Sequence, residues 1–238
     1  MSRFFACAGL GVFLTLAASG LAIFAHVGQI NGSLVPRNIR MVDVDVSSLG
    51  STLGVGTALY GSGPQRTANS GLRNHYEWGL WKYCEKASTG GSPDVCSGTK
   101  WANEFQPVPA ILFDVPTQYQ TQVANHLRSG TFTSDGYLGR FSKGAFYVLF
   151  IGAVAGGLAL ITGFLAHRIA FLLAAMLTFF AFLCEAVGCI IWTVIIEKTK
   201  SSISGTGINV SYGDGLWLYW ASTGCLFLAA LPSGRDRY

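Results

Sequence analysis

The sequence predicts an α-helical membrane protein, a bundle of four transmembrane helices that carries one large folded β-sheet domain outside the membrane. Two observations on composition predict the bundle. Half of the 238 residues are apolar and only 12% are charged, about half the charged share of a soluble domain. With the single exception of Glu185, the charged residues are also excluded from four long apolar stretches. A third observation, a pair of cysteines in the long segment after the first stretch, predicts that this segment is a folded domain.

The four stretches are residues 4–25, 144–166, 169–196 and 215–231. A spanning helix needs about 20 mostly apolar residues, and the last stretch is the shortest. It opens with Trp217, Tyr219 and Trp220, aromatic residues typical of a membrane interface. The first stretch is either a cleavable signal peptide or a retained anchor. Its length and the lack of a small-x-small cleavage site after it favour the anchor.

The charges of the short flanks predict the orientation, because cytoplasmic loops carry an excess of Lys and Arg. These flanks hold one acid, Asp236, against four basic residues: Arg3, Arg168, Arg235 and Arg237. Both termini, including the short tail 232–238, are therefore expected in the cytosol, and segments 26–143 and 197–214 outside. Two glycosylation sequons, at Asn31 and Asn209, both fall in the segments assigned outside.

The cysteines agree with this orientation. Cys84 and Cys96 are the two cysteines of the first outer segment, and a pair in an oxidising compartment predicts a disulfide. The remaining cysteines lie in the apolar stretches, where a thiol behaves as a small apolar residue: Cys7, Cys184, Cys189 and Cys225. Because the histidines are scattered and do not cluster with cysteine, we expect no metal and no cofactor.

The first outer segment is too long for a structureless connection. Alternating apolar residues predict a strand over residues 37–46, aromatic residues a second over 75–85, and a short apolar run a third over 110–115. Residues 50–70 are predicted to be an irregular loop, and the glycines and proline around residues 90–93 a hairpin tip. Pro116 is expected to open a short helix that carries Tyr119, Val123 and Leu127 at helical spacing and ends at Gly130.

A motif in this segment resembles a known family. Trp78, Gly79, Leu80 and Trp81 are followed by Cys84 and Cys96, as in the first outer loop of claudin-type four-span proteins. The longer loop of this chain is similar to that of the fungal PalI/Sur family of plasma-membrane proteins, which includes eisosome components and a pH-signalling adaptor. The resemblance implies a left-handed four-helix bundle under a claudin-like extracellular β-sheet. It also implies that Trp81 and the two cysteines are structural, holding the sheet to the bundle.

Polar and small residues inside the apolar stretches are candidates for function. Glu185 lies near the middle of the third stretch, where a carboxylate is costly. It is either an ion-linked or partner-binding site, or a hydrogen-bonded glutamate inside the bundle, which we favour. The candidate bundle partners are Thr15, Ser19, Thr162, Thr178 and Ser222. Gly152, Gly156 and Gly157 let helices approach closely, either within the bundle, which we favour, or at a dimer face.

The functional expectation is a non-enzymatic protein. The net charge of +4 is dispersed, which argues against nucleic acid, and the common catalytic motifs are missing from the sequence, so no catalytic residue is assigned. Asp43 and Asp45 face one side of a strand, which is more typical of a solvated face than of a weak cation site.

The resemblance implies an organiser of membrane domains, of the eisosome or cell-wall-integrity type, acting by lateral self-assembly or lipid contact. The alternative is an auxiliary subunit or adaptor of a channel, transporter, synthase or pH-signalling receptor. The expected partners are membrane lipids and either further copies of the chain or a larger membrane protein.

Overall fold

Four helices form a bundle: α1 (Ser2–His26), α5 (Asp135–Gly163), α6 (Arg168–Ser202) and α7 (Asp214–Ala230). The computed structural model describes residues 2–30, 38–61, 67–86, 95–128, 135–165, 168–203 and 205–230. Within them three stretches are long and apolar enough to cross a membrane: Gly9–His26, Gly136–Gly163 and Ile169–Ser202. Helix α7 has 17 described residues and packs between α1 and α6, while α5 closes the ring on the other side.

A five-stranded antiparallel sheet sits at one end of the bundle. Its strands are β1 (Val42–Asp45), β2 (His75–Trp78), β3 (Tyr83–Lys86), β4 (Val95–Cys96) and β5 (Asn209–Tyr212). Their order in the sheet is β4-β3-β2-β1-β5. The predicted strand 37–46 contains β1, and the predicted strand 75–85 is a hairpin of β2 and β3. We call the sheet, together with the short helices between β1 and α5 that are described below, the sheet domain.

The alternation of β1 assigns its two faces. Val42 and Val44 are buried and stand opposite Trp78 and Tyr76 of β2. They belong to an apolar core that continues without interruption from the sheet into the helices, as far as Trp192 of α6. Because side chains alternate along a strand, the neighbouring aspartates of β1 lie on the opposite face.

The prediction of a third strand over residues 110–115 is wrong. Most of this run lies in α3 (Pro107–Asp114), a helix with proline in its first turn, a position that proline tolerates well. A short apolar run fits a buried strand or a buried helix equally by periodicity, and here Val108 and Ile111 face the core at helical spacing. The predicted irregular segment 50–70 also holds regular structure, since α2 (Leu49–Thr52) and a 3-10 turn (Gly56–Leu59) lie in or against it.

The remaining helix of the sheet domain follows the prediction closely. Pro116 precedes a 3-10 turn (Thr117–Tyr119), which leads into α4 (Gln120–Arg128). Val123 and Leu127 are buried in the core and Tyr119 packs against it. The predicted helix end at Gly130, the hairpin tip at residues 90–93 and the tail 232–238 lie outside the described residues.

Two bundle helices run beyond the predicted spans into the sheet domain. Helix α5 begins at Asp135 rather than at residue 144, and α6 continues to Ser202 rather than ending at residue 196. The segment between α6 and α7, predicted as a loop, contributes β5, which pairs with β1 over four residue pairs. The side chain of Tyr212 in β5 also donates a hydrogen bond to Glu197 of α6. The two segments beyond the bundle therefore form one sheet.

Candidate functional site

The tryptophan of the motif at residue 78 connects the sheet to the bundle. Its ring stacks between Tyr76 and Tyr83, at centroid distances of 6.0 and 5.2 Å. Phe105 meets Trp78 edge-on at 5.2 Å and contacts Trp192 of α6 at 6.2 Å. Aromatic pairs at these distances are favourable beyond the area they bury. Trp78 is therefore a core residue, 1% exposed.

Gly79 is required for steric reasons. A Cβ atom at this position would lie 2.6 Å from Oε1 and 2.8 Å from Cβ of Gln29, closer than real Cβ contacts allow. Gln29 is fully buried and has a left-handed backbone, with φ of 57°. The next residue, Leu80, is 1% exposed, so the turn between β2 and β3 is packed against the residues that follow α1.

Trp81 attaches this turn to the end of α1. Its indole Nε1 donates a hydrogen bond to the carbonyl oxygen of His26 at 2.6 Å. His26 is the last residue of α1, where carbonyl groups have no partner within the helix. A second hydrogen bond joins His26 Nδ1 to the hydroxyl of Tyr219 in α7 at 2.7 Å, and Phe146 of α5 packs edge-on against Trp81 at 5.3 Å. Trp81 thus contacts two bundle helices, α1 and α5, and His26 connects this point to a third, α7.

The disulfide prediction is confirmed. Cys84 and Cys96 stand opposite each other on β3 and β4 and are bonded. The bridge closes a segment with a sequence separation of 12 residues. It pins the edge strand β4, which has only two residues, to the rest of the sheet.

Replacing both cysteines by serine, Cys84→Ser with Cys96→Ser, is expected to destabilise the sheet domain by about 3 kcal/mol, because the unfolded chain regains the entropy that the bridge removes. The measurement is the urea midpoint of the full chain in detergent, followed by tryptophan fluorescence, which Trp78 reports. Cys225→Ser, a free cysteine of α7, is the matched control. An unchanged midpoint in the double variant would show that the bridge does not constrain the domain.

A charged network covers the face of the sheet opposite to the core. Glu77 pairs with Arg40 at 2.8 Å and with Lys86 at 2.7 Å. Asp43 lies 3.5 Å from Arg40 and 3.6 Å from His75. Burial raises the pKa of Glu77, although both cations act to lower it. The carboxylate of Asp43 is thus part of an ion-pair network, which favours the structural interpretation over a cation site.

A buried polar group on the core side of the sheet is not apparent from the sequence. The hydroxyl of Tyr76 donates to Asp114 Oδ2 at 2.8 Å, and Arg73, Glu85 and Asp114 are each at most 3% exposed. Burial, with the charge of Asp114, raises the pKa of Tyr76 well above its usual value. No linear pattern marks these residues, since charged side chains in a loop or strand normally indicate surface.

Glu185 lies at the point where the four bundle helices meet. Its Oε2 is 2.7 Å from Ser222 Oγ of α7, and Ser222 Oγ is 2.9 Å from the carbonyl oxygen of Ala18 in α1. On the fourth side, a Cβ atom placed on Gly152 of α5 would lie 3.0 Å from Glu185 Cγ. Glu185 is 1% exposed and Ser222 is fully buried.

The number of hydrogens available to these two hydrogen bonds indicates whether the carboxyl group of Glu185 is protonated. A serine hydroxyl has one hydrogen to donate, and the carbonyl of Ala18 can only accept. Both contacts are satisfied when Ser222 donates to Ala18 and a protonated Glu185 donates to Ser222. The geometry therefore favours a neutral carboxylic acid that links three helices.

Of the partners predicted for Glu185, only Ser222 is its hydrogen-bond partner among the described residues. The three threonines donate to carbonyl groups of their own helices: Thr15 to Gly11, Thr162 to Leu158 and Thr178 to Ala174. Ser19 Oγ is buried and has no hydrogen-bond partner among the described residues. The structure therefore supports the interpretation of Glu185 as a hydrogen-bonded glutamate inside the bundle.

Two interpretations were open for the three glycines of α5, packing within the bundle and a dimer face, and the glycines differ in their surroundings. Gly152 faces Glu185, and a Cβ atom on Gly156 would lie 3.6 Å from Ser19 Oγ of α1. A Cβ atom on Gly157 would meet nothing within 4 Å. Two of the glycines thus pack within the bundle, and Gly157 lies on the lateral surface.

Of the two predicted sequons, Asn209 lies in β5 and is exposed, whereas Asn31 lies outside the described residues. The part of the chain that the structure describes contains no group of three or more His, Cys, Asp and Glu side chains placed to hold a metal ion.

Comparison with known proteins identifies the family of the chain. The SUR7/PalI family matches the chain over residues 7–231, which covers the bundle, the sheet domain and the motif. A search of curated proteins finds no match. The resemblance to the PalI/Sur family that the motif indicated is confirmed, and the chain belongs to the SUR7/PalI family.

Proposed function

We propose that this protein is a non-enzymatic organiser of plasma-membrane domains, of the eisosome or cell-wall-integrity type, which acts by lateral self-assembly or lipid contact. Membership of the SUR7/PalI family supports a membrane role. The observation that carries the proposal is the attachment of the sheet domain to the bundle through Trp81. Through this attachment, contacts made by the sheet domain beyond the membrane act directly on the helices within it.

The proposed topology has four spans, the sheet domain outside the cell and both termini in the cytosol. Pairing of β1 with β5 supports it, because strands joined by a ladder must lie on the same side of a membrane. Two bundle helices, α5 and α6, separate β1 and β5 along the chain, as two crossings require. The Cys84–Cys96 disulfide supports an outer location. Exposure of Asn209 is consistent with glycosylation there.

The residues singled out from the sequence support a scaffold in another way. The motif tryptophans, the cysteine pair and Glu185 are all engaged in contacts within the chain. The lateral surface of α6 is instead apolar and exposed along its length, at Leu172, Met176, Phe179, Leu183, Val187, Ile190 and Val194. Such a surface contacts lipid tails or the helices of a neighbour.

The experiment is purification of the full chain in a mild detergent, with its mass measured by light scattering. An organiser is expected to run as a homomeric assembly, whereas an auxiliary subunit or adaptor is expected to co-purify in fixed ratio with one larger membrane protein. A monomer that forms no assembly after return to lipid nanodiscs, and that retains no lipid, would overturn the organiser proposal.

A further inference from the structure

A groove of about 440 Å³ lies between the sheet domain and the start of α5. The β2–β3 hairpin contributes Trp78 and Tyr83, and the following segment contributes Lys100, Trp101 and Asn103. Lys143 of α5 also lines the groove. The groove therefore combines aromatic rings with two lysines, one glutamate and two side-chain amides, and its walls come from both parts of the molecule.

The groove lies beside the start of the apolar stretch of α5. The ring of Trp101 is 54% exposed and packs against Phe146 and Phe150 of α5, at centroid distances of 5.2 and 5.5 Å. Lys143 directly precedes the apolar stretch that starts at residue 144. Tyr137 and Phe141, about two turns and one turn before residue 144 in α5, are also exposed. Exposed aromatic residues at the end of an apolar stretch are typical of the headgroup layer.

One buried donor of the groove has no partner among the described residues. Asn103 is 7% exposed, and its buried Nδ2 has no hydrogen-bond partner in the part of the chain that the structure describes. Such a donor normally costs stability, which an acceptor brought by a ligand would restore. Ala102, between Trp101 and Asn103, has a left-handed backbone with φ of 52°, an unfavourable conformation for a residue with a Cβ atom. Residues with such unfavourable backbone conformations cluster at ligand-binding sites.

The charge of the groove is positive. Lys100 is exposed and Lys143 is 3.2 Å from Glu104, so two ammonium groups face one carboxylate among the charged residues that line it. Glu104 also accepts a hydrogen bond from Gln106 at 2.8 Å. A phosphate group between the lysines would accept from both ammonium groups and from the amide of Asn103.

We propose that this groove binds the phosphate-bearing headgroup of an anionic membrane lipid, whose chains then continue along Trp101 and Phe150 into the bilayer. The proposal deepens the lipid contact of the proposed function and rests on the membrane role given there. It selects a lipid over a soluble phosphate compound because Trp101 and Phe150 extend the site toward the bilayer.

The test titrates the full chain, purified in an uncharged detergent, with dioleoyl phosphatidylglycerol, dioleoyl phosphatidylcholine or inorganic phosphate, and counts bound lipid by native mass spectrometry. The anionic lipid is expected to bind at least tenfold more tightly than the zwitterionic one. Lys100→Gln with Lys143→Gln should weaken its binding roughly 30-fold, since each lysine near a membrane surface contributes about fivefold or more. Glu104→Gln should tighten the binding of the anionic lipid about fivefold, because it removes the negative charge of the groove. A misfolded protein cannot show such a gain.

Lys198→Gln is the matched control, because Lys198 lies over the ring of Tyr137 at the same level but outside the groove. Equal affinity for the two lipids, or an equal loss in the control, would overturn the proposal. Competition by inorganic phosphate alone at similar concentrations would assign the site to a soluble ligand and would also overturn it. Light scattering on the same samples reports assembly, so failure of the groove and failure of the organiser proposal are separable.

Discussion

Trp81→Ala is expected to lower the thermal midpoint of the full chain by roughly 6–12 °C. Truncating a tryptophan that packs on a core removes about 3 kcal/mol, and at this chain length each kcal/mol corresponds to about 2–4 °C. The variant loses the edge-on contact with Phe146 and leaves the His26 carbonyl, at the end of α1, without its donor. The measurement is thermal unfolding in detergent, followed by the reaction of a thiol-specific dye with Cys189, which is buried in the bundle.

A more conservative variant and a matched control separate the parts of this effect. Trp81→Phe keeps most of the packing and loses only the hydrogen bond, so we expect a loss of about 1 kcal/mol. Trp217→Ala removes a tryptophan that is 61% exposed at the start of α7, and it should leave the midpoint almost unchanged. If Trp81→Ala and Trp217→Ala shifted the midpoint equally, the attachment of the sheet domain through Trp81 would not stabilise the bundle.

The attachment explains why the motif has this composition. Gly79 lets the β2–β3 turn approach Gln29, Trp78 fills the core above α6, and Trp81 reaches the end of α1. The disulfide holds the far edge of the same hairpin. The motif therefore fixes the position of one hairpin relative to the helices, and the other strands are added to that hairpin.

The helices, the first strand and the disulfide could be predicted because their signals are local. Apolar stretches indicate helices in the membrane, the alternation of residues 42–45 indicates a half-buried strand, and two cysteines in one segment indicate their own pairing. The same local logic failed at residues 110–115. That run is too short for the spacing of its apolar residues to distinguish a helix from a strand. Its helical form follows from packing against Val123 and its neighbours.

Strand β5 and the extension of α5 could not be predicted, because each depends on a distant partner. Residues 209–212 are four residues next to a glycine-rich segment, and their extended form is fixed by pairing with β1, more than 160 residues earlier. The first turns of α5 mix charged residues with aromatic ones and glycine, so they do not continue the apolar stretch. They are ordered by contacts with the sheet domain, where Ser142 Oγ accepts a hydrogen bond from the backbone of Phe105 at 2.9 Å.

The candidate sites divide in the same way. Glu185 was identifiable because a carboxyl group in an apolar stretch is rare, but its partner was one of five candidates until the helices were placed. The groove beside Trp101 was not identifiable, since Lys100, Asn103 and Lys143 come from two segments that only the fold brings together. In the sequence alone, polar residues near the end of an apolar stretch indicate only the residues that flank a membrane span.

Glu185→Ala is expected to destabilise the bundle by about 3 kcal/mol. The variant empties the space where α6 faces Gly152 of α5, and cavities of this size in a packed interior cost about 2–5 kcal/mol. It also removes the hydrogen bond to Ser222, and such bonds in membranes contribute about 1 kcal/mol. The measurement is the thermal midpoint with the thiol-specific dye. Leu183→Ala, at an exposed position two residues earlier on α6, is the control and should change it little.

Glu185→Gln distinguishes a neutral carboxylic acid from a charged, ion-linked one. The amide of glutamine can donate to Ser222, which continues to donate to the carbonyl of Ala18, so the chain of hydrogen bonds across α6, α7 and α1 is preserved. We therefore expect a loss below about 1 kcal/mol and unchanged assembly in detergent. If glutamine were as damaging as alanine, or abolished assembly while the midpoint was retained, the ionised carboxylate would be the required form. Glu185 would then be a functional site rather than the central structural contact of the bundle.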